Sequence, residues 1–209
     1  MPIRLARCFT SVKDGSNNAN DRYAFAAWAN EHWFKHHYYW GFPDPAHAHS
    51  WLAGTRHKTA LREFRLAEAN APGTQPTRKL AYPGSVGSQA LLGMRRLHVL
   101  RNDPALASIS HVWPMETGFT LPAMREGTAS IVHAEIYPTP VLDLIVRGRI
   151  TMPEEVAGLV NDAQQVWACA SLARHEDVEG TLARRFGVPS ILKADQISQA
   201  RQEGWILWT

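Results

Sequence analysis

Three acidic residues stand where carboxylate chemistry is possible. Glu135 lies inside the apolar run Ile131-Val132-His133-Ala134-Glu135-Ile136-Tyr137, whose β-branched content and closing Pro138 predict a strand. Side chains alternate along a strand, so Glu135 shares a face with Ile131, His133 and Tyr137. Burying a lone carboxylate there is costly, so it must be paired, hydrogen-bonded, exposed on a sheet edge, or bound to metal. Glu116 follows Trp113-Pro114-Met115 at the end of a second short strand. Asp162 sits on a helix, about 100° from the centre of its apolar stripe, within reach of a sheet margin. Acids at strand ends and on an abutting helix form an oxygen-rich site suited to Mg²⁺ or Mn²⁺. Two such ions about 4 Å apart activate water and stabilise a leaving oxygen in phosphodiester cleavage. Singly, the acids have plainer roles: Glu116 as a turn residue capping a backbone amide, Asp162 as a solvated helix residue.

Phosphate contacts are the natural complement. Gly84-Ser85-Val86-Gly87-Ser88 precedes a helix and offers backbone amides with a helix N-terminus to an anion. It is not a Walker loop, because no Gly-Lys-Ser/Thr follows. Ser85, Gly87 and Ser88, with Lys79, Arg62, Arg95 and Arg96, are the candidate phosphate or nucleic-acid contacts. Six of the 10 histidines and four of the 8 tryptophans fall within residues 28–57. His47-Ala48-His49 invites a transition-metal reading, but no Glu or Cys sits at a matching spacing and HExxH is absent. Trp33 and Trp40 suit base stacking or, more commonly, a core. A Ser/His/Asp triad can be written from Ser85, His98 or His133 and Asp103, but no Gly-x-Ser-x-Gly elbow supports it. Two cysteines, Cys8 and Cys169, cannot make a disulfide framework or a Cys-rich zinc site.

The 209 residues are 45% hydrophobic and 20% charged, which excludes a disordered tail and suits one large domain or two small ones. No apolar run reaches the roughly 18 residues of a membrane helix, and no apolar stretch follows the basic start, so a cytoplasmic protein is expected. The net charge of +3 hides an asymmetry: residues 1–100 carry 13 Lys/Arg against 6 Asp/Glu, and residues 101–209 carry 9 against 13. A basic portion beside an acidic one fits a protein that holds polyphosphate and builds a carboxylate metal site.

The elements that must position these groups follow from spacing and caps. A turn at Gly15-Ser16-Asn17-Asn18 leads to a helix from Asp21 to about His37, with Phe25, Trp28, Ala29 and Trp33 on one stripe. Further helices are predicted over about 56–69 and 88–102, the latter with Leu91, Met94 and Leu97 inward. Strands at 111–113 and 131–137 precede a short helix over 138–146. Thr151-Met152-Pro153-Glu154 has capping-box spacing, and Val156, Leu159, Val160, Ala163, Val166, Trp167 and Ala170 continue it as one helical stripe. Helices over about 176–186 and 193–203 end at Gly187 and Gly204. The class is α/β, with too few strands for a complete sheet.

Four stretches together resemble a bacterial family of uncharacterised, RNase H-like predicted nucleases, some of whose members carry cobalamin-biosynthesis-like labels. They are Lys79 to Gly93, His111 to Phe119, Val132 to Pro138, and Asn161 to Val166. Asn17 to Tyr23, Trp40-Gly41 and Glu203 to Leu207 also fit, so the resemblance covers nearly the whole chain. It implies a single RNase H-like domain over 1–209, with a mixed sheet flanked by helices. It also implies a Mg²⁺- or Mn²⁺-dependent site in which Glu116, Glu135 and Asp162 hold the metal, acting on nucleic-acid phosphodiesters. Family members begin with a strand bearing an Asp-Trp-Ser-like motif, followed by another with a Gly-Phe-Asp-Phe-Pro-like motif. Neither occurs in residues 1–20, so the chain is expected to lack the first strands and their aspartates. The alternative is a non-catalytic accessory or interaction protein on the same scaffold, self-associating or joined by a partner that completes the sheet.

Overall fold

The computed structural model describes residues 20–58, 60, 62–123, 127–148 and 150–209. Cys8 and the Gly15-Ser16-Asn17-Asn18 turn lie outside them. The described residues are mixed α/β, with eight α-helices and two small parallel sheets. The chain divides into two compact units, Met1–Ser108 and Ile109–Thr209. Charge changes sign at the same boundary: 14 Lys/Arg against 7 Asp/Glu before it, 8 against 12 after.

In the first unit, helix α1 (Arg22–Ala29) starts at Asp21 as predicted. The Asn20 side chain accepts the Arg22 amide (3.3 Å) and so supports the first turn. Tyr23, Phe25, Ala26, Ala27 and Ala29 are buried, whereas Trp28 is left at the surface. The helix then widens into a π-turn, Asn30–Phe34, that ends at Lys35 in the left-handed conformation (φ 55°). Asn30 is fully buried. Its Nδ2 donates to the carbonyls of Tyr39 (2.9 Å) and Trp51 (2.7 Å), and its Oδ1 accepts the Tyr39 amide (2.8 Å). Both amide protons and the oxygen are thereby used, and three stretches of chain are pinned together.

Trp40, next along, runs extended between residues 53 and 79. Its amide donates to Arg78 O (3.1 Å), its carbonyl accepts from Leu80 (2.9 Å), and Gly41 N–H reaches Ala53 O (2.8 Å). Gly41 has φ +95°, and a Cβ there would lie 3.2 Å from the Ala81 amide nitrogen, so only glycine fits without strain. Among the described residues, helix α2 (Leu66–Ala69) is all that forms of the helix predicted over 56–69. Residues 59 and 61 lie outside the described set, and Arg56 pairs with Glu63 (2.6 Å). Helix α3 (Gly87–Arg101) matches the prediction closely and buries Leu91 completely.

The second unit begins with β1 (Ser110–Val112), parallel to β2 (Ile131–His133) with Ser110 opposite Ile131 and Val112 opposite His133. After Ala134 the chain changes partner: β3 (Glu135–Ile136) runs parallel to β4 (Ile206–Leu207). The strand predicted over 131–137 is therefore two strands in two sheets. Helix α4 (Pro138–Val146) opens on a proline at its first position, where no amide is needed. The single helix predicted from Pro153 onward is also divided. Helix α5 (Glu154–Ala157) stops at Gly158, Val160 is extended (ψ 150°), and α6 spans Asn161–Val178. That break resets the helical register, so Leu159, Val160 and Val166 are exposed. Ala168, Cys169 and Leu172 instead pack with Val141 of α4. Helix α7 (Leu182–Arg185) is short, and α8 (Ile197–Glu203) ends at Gly204 (φ 87°) as predicted. No helix among the described residues is long and apolar enough to cross a membrane.

Glu176 on α6 is only 5% exposed. It accepts from Arg185 Nε (2.9 Å) and Nη2 and from Trp208 Nε1 (2.9 Å). Burial alone would raise its pKa, but the two hydrogen-bonding partners and the Arg185 charge together hold it below the ordinary 4.5.

Two stability tests follow. Asn30→Ala removes the partner of the buried amide and carbonyl of Tyr39, at roughly 1–3 kcal/mol each, and one bond to the part-buried Trp51 carbonyl. Urea unfolding should therefore show a loss of about 3 kcal/mol or more in the first unit; a loss below about 1 kcal/mol would show that the clamp is dispensable. Glu176→Gln should cost the second unit about 1–2 kcal/mol at neutral pH, discounted because Arg185 is half exposed. Because folding depresses this pKa, the contribution is complete above the unfolded value and disappears as pH falls through the lower folded one. Melting curves of wild type and variant should converge in acid.

Candidate anion-binding site

The three predicted metal ligands lie on three different elements of the second unit. Glu116 is exposed, its carboxylate accepts the Val112 amide (2.8 Å), and its own amide donates to the Val112 carbonyl (2.8 Å). It closes the turn after β1, the plainer of its two expected roles. Glu135 is exposed on β3, so the cost of burial that made it conspicuous in the sequence does not arise. Asp162 is exposed in the first turn of α6, where the helix N-terminus favours a carboxylate. Among the described residues, no group of three or more His, Cys, Asp or Glu comes together to hold a metal ion.

The predicted phosphate loop is used internally. Ser85 N–H donates to Tyr82 O (3.0 Å) and Gly87 N–H to Lys79 O (2.9 Å), while Ser88 Oγ donates to Leu80 O (2.7 Å). A Cβ on Gly87 would stand 2.5 Å from the Lys79 oxygen, so the glycine permits close docking of α3 rather than anion access. Lys79 Nζ is tied to Gln75 Oε1 (3.1 Å) and Pro83 O (2.9 Å). Arg95 and Arg96 are consecutive on α3 and diverge by about 100° around it. Arg62 is exposed. The two histidines of His47-Ala48-His49 also part: His47 stacks on Tyr23 (4.4 Å), and His49 Nδ1 accepts the Trp51 amide (3.2 Å).

Positive charge converges instead on a small cavity of about 60 Å³ in the first unit, lined by His37, Tyr38, Trp40, Arg56, His57, Lys58 and Arg78. No carboxylate is among its described lining residues, although Glu63 pairs with the lining Arg56 (2.6 Å). Arg78 is only 5% exposed; its Nε donates to Glu63 O (3.1 Å) and its guanidinium lies 4.9 Å over the Tyr38 ring. The Glu63 carboxylate meanwhile holds Arg56, so one residue positions both guanidiniums. His37 and His57 face each other at 4.6 Å. Two nitrogens of lining residues, His37 Nδ1 and Trp40 Nε1, are buried without a hydrogen-bond partner among the described residues.

The cavity thus gathers cations and ring nitrogens, with Arg56 already paired to Glu63. A buried N–H left unmade costs about 1–3 kcal/mol, and a buried guanidinium stays charged. Burial holds the Arg78 pKa below the ordinary guanidinium value, with Arg56 acting the same way against the Tyr38 phenol and the carboxylates of Glu63 and Glu68. Burial likewise lowers His37 below 6.5, the neighbouring His57 and His36 add to this, and a hydrogen bond to the Trp51 backbone opposes it. An oxyanion in the cavity would accept from Trp40 Nε1, the buried indole N–H that has no partner. The crowding of His and Trp over residues 28–57 was a visible signal. Arg78 was not, because nothing in its local sequence marks it as buried.

The second unit has a larger cavity, about 570 Å³, walled by Val141, Leu144, Leu172 and Trp208. Its buried charge, Glu176, is already matched by Arg185, which leaves mainly apolar surface to a ligand.

The lowered His37 pKa gives the anion site a pH signature. Empty, the imidazole is mostly neutral at pH 7; an anion beside it favours the cation, so binding takes up a proton. Affinity for sulfate, a dianion throughout, should rise as pH falls from about 8 to about 5.5, by roughly tenfold for a one-unit pKa difference. Calorimetric titration of wild type against His37→Gln checks this, the variant losing most of the slope; equal slopes would exclude His37. No family model, no curated protein and no solved structure matches this chain.

Proposed function

We propose that this chain binds phosphate groups of nucleic acid through its basic first unit and acts as a binding module rather than as a catalyst. The observation that carries this reading is the cavity lined by Arg56, Lys58 and Arg78, with the buried, partnerless indole N–H of Trp40 and the ring of His37 beside them. The net charge of the unit supports it, since an excess of Lys/Arg steers polyanions, and Tyr38 and Trp40 add aromatic surface beside the cations. Three neutralised phosphates on a single strand correspond to a log–log salt slope of about −2. Fluorescence anisotropy with single-stranded oligonucleotides should give such a slope, and Arg56→Ala/Lys58→Ala should weaken binding at least about tenfold. Both changes lie on exposed side chains and spare the fold. An affinity indifferent to that double variant would move the interface elsewhere.

The second reading is the Mg²⁺- or Mn²⁺-dependent nuclease implied by the family resemblance. What favours it is that Glu135 and Asp162 are both exposed. It requires that Mn²⁺ binding and nucleic-acid cleavage both drop in Glu135→Ala, assayed beside the oligonucleotide titration. Equal Mn²⁺ binding by wild type and variant, with no cleavage by either, leaves the binding module.

A further inference from the structure

We infer that the cavity of the second unit binds an uncharged, mainly apolar small molecule and discriminates against organic anions. Size is the first reason. The cavity holds about 570 Å³, within the roughly 300–1,000 Å³ of ordinary small-molecule sites and far beyond a packing flaw. Its apolar wall is made by Pro140, Val141 and Leu144 of α4, Ile150, Leu172 of α6, and Trp208 just after β4. Val141 and Leu172 belong to the buried cluster of this unit, and Leu144, Ile150 and Trp208 pack against it. A ligand seated there therefore meets core side chains.

The state of the polar lining groups is the second reason. Glu176 has both carboxylate oxygens in use: Oε1 accepts from Arg185 Nε and Nη2, and Oε2 accepts from Trp208 Nε1. The same bond spends the indole N–H, so Trp208 offers a ligand ring surface alone. Thr181 Oγ1 donates to the Glu176 carbonyl (3.2 Å). His175 and Glu179, at the C-terminal end of α6, are exposed, where water screens them. A charge carried inward by a ligand would lose its hydration without gaining a partner. An anion would also face two carboxylates, Glu176 and Glu179, against the single guanidinium of Arg185.

The fixed position of Trp208 is the third. Ile206 and Leu207, immediately before it, are buried and paired with β3, and the bond to Glu176 holds the indole from the other side. Its backbone is left-handed (φ 67°), a conformation that bulky residues rarely adopt. The aromatic wall is thus in place before a ligand arrives, and no rotamer freedom is lost there on binding. Such a wall suits a flat or ring-shaped apolar body.

The full chain is titrated with two fluorescent probes that share an anilinonaphthalene skeleton, the uncharged N-phenyl-1-naphthylamine and the anionic 1-anilinonaphthalene-8-sulfonate. The uncharged probe should bind at least about tenfold more tightly, and octanol should displace it at least about tenfold more effectively than octanoate. Leu144→Trp and Ile150→Trp each fill the space from a partly buried position. Each should weaken the uncharged probe at least about tenfold while circular dichroism stays that of the wild type. Equal or tighter binding of the anionic probe, or equal displacement by octanoate, overturns the selection for uncharged ligands. Unchanged affinity for the uncharged probe in the folded variants, or no binding of either probe to the wild type, overturns the site itself. Where a filled variant does not fold, the competition between octanol and octanoate on the wild type decides. None of these outcomes bears on phosphate binding, which belongs to the first unit.

Discussion

The basic unit depends on a single carboxamide. Asn30 is fully buried and uses both amide protons and its oxygen on the backbones of Tyr39 and Trp51. Such a group is costly unless completely satisfied, and here complete satisfaction fixes the chain on either side of residues 37, 38 and 40. Trp40 is then held between residues 53 and 79 by backbone bonds. That places its ring beside Arg78, 38 residues away in sequence. The cationic cavity is thus a consequence of how one helix is terminated.

The two units meet the problem of buried charge in opposite ways. In the second unit Glu176 is answered within the protein, by Arg185 and Trp208, and the result is a folded-state carboxylate kept well ionised. In the first unit Arg78 is buried against the Glu63 carbonyl and the Tyr38 ring, with the cations Arg56 and Lys58 and the partnerless indole N–H of Trp40 in the same cavity lining. The first arrangement pairs its charge inside one helix-and-turn segment, whereas the second gathers its polar groups from segments distant in sequence.

Legibility from sequence followed the range of the forces involved. Helix α3, helix α4 and the Gly204 stop were readable because apolar spacing, an N-terminal proline and a glycine cap act over a few residues. The long stripe from Val156 to Ala170 misled, because periodicity cannot register the extended Val160 that separates α5 from α6. Glu135 looked costly because its neighbours are apolar, yet burial is decided by what packs on a strand, and little packs there. Gly87 and Ser88 looked like an anion cradle because amides and hydroxyls are drawn alike in sequence whether or not carbonyls already occupy them.

By itself, the sequence established a mixed α/β chain, the ends of several helices, and a basic portion followed by an acidic one. These rest on local propensity and on a sum of charges, which need no knowledge of contacts. Tertiary structure alone decided that Glu116, Gly87 and Ser88 bond to nearby backbone groups, and that Arg56, Lys58 and Arg78 meet at His37 and Trp40. Which donors are left without partners depends on backbone groups brought together from distant segments. That pairing is a property of packing, which no spacing rule contains.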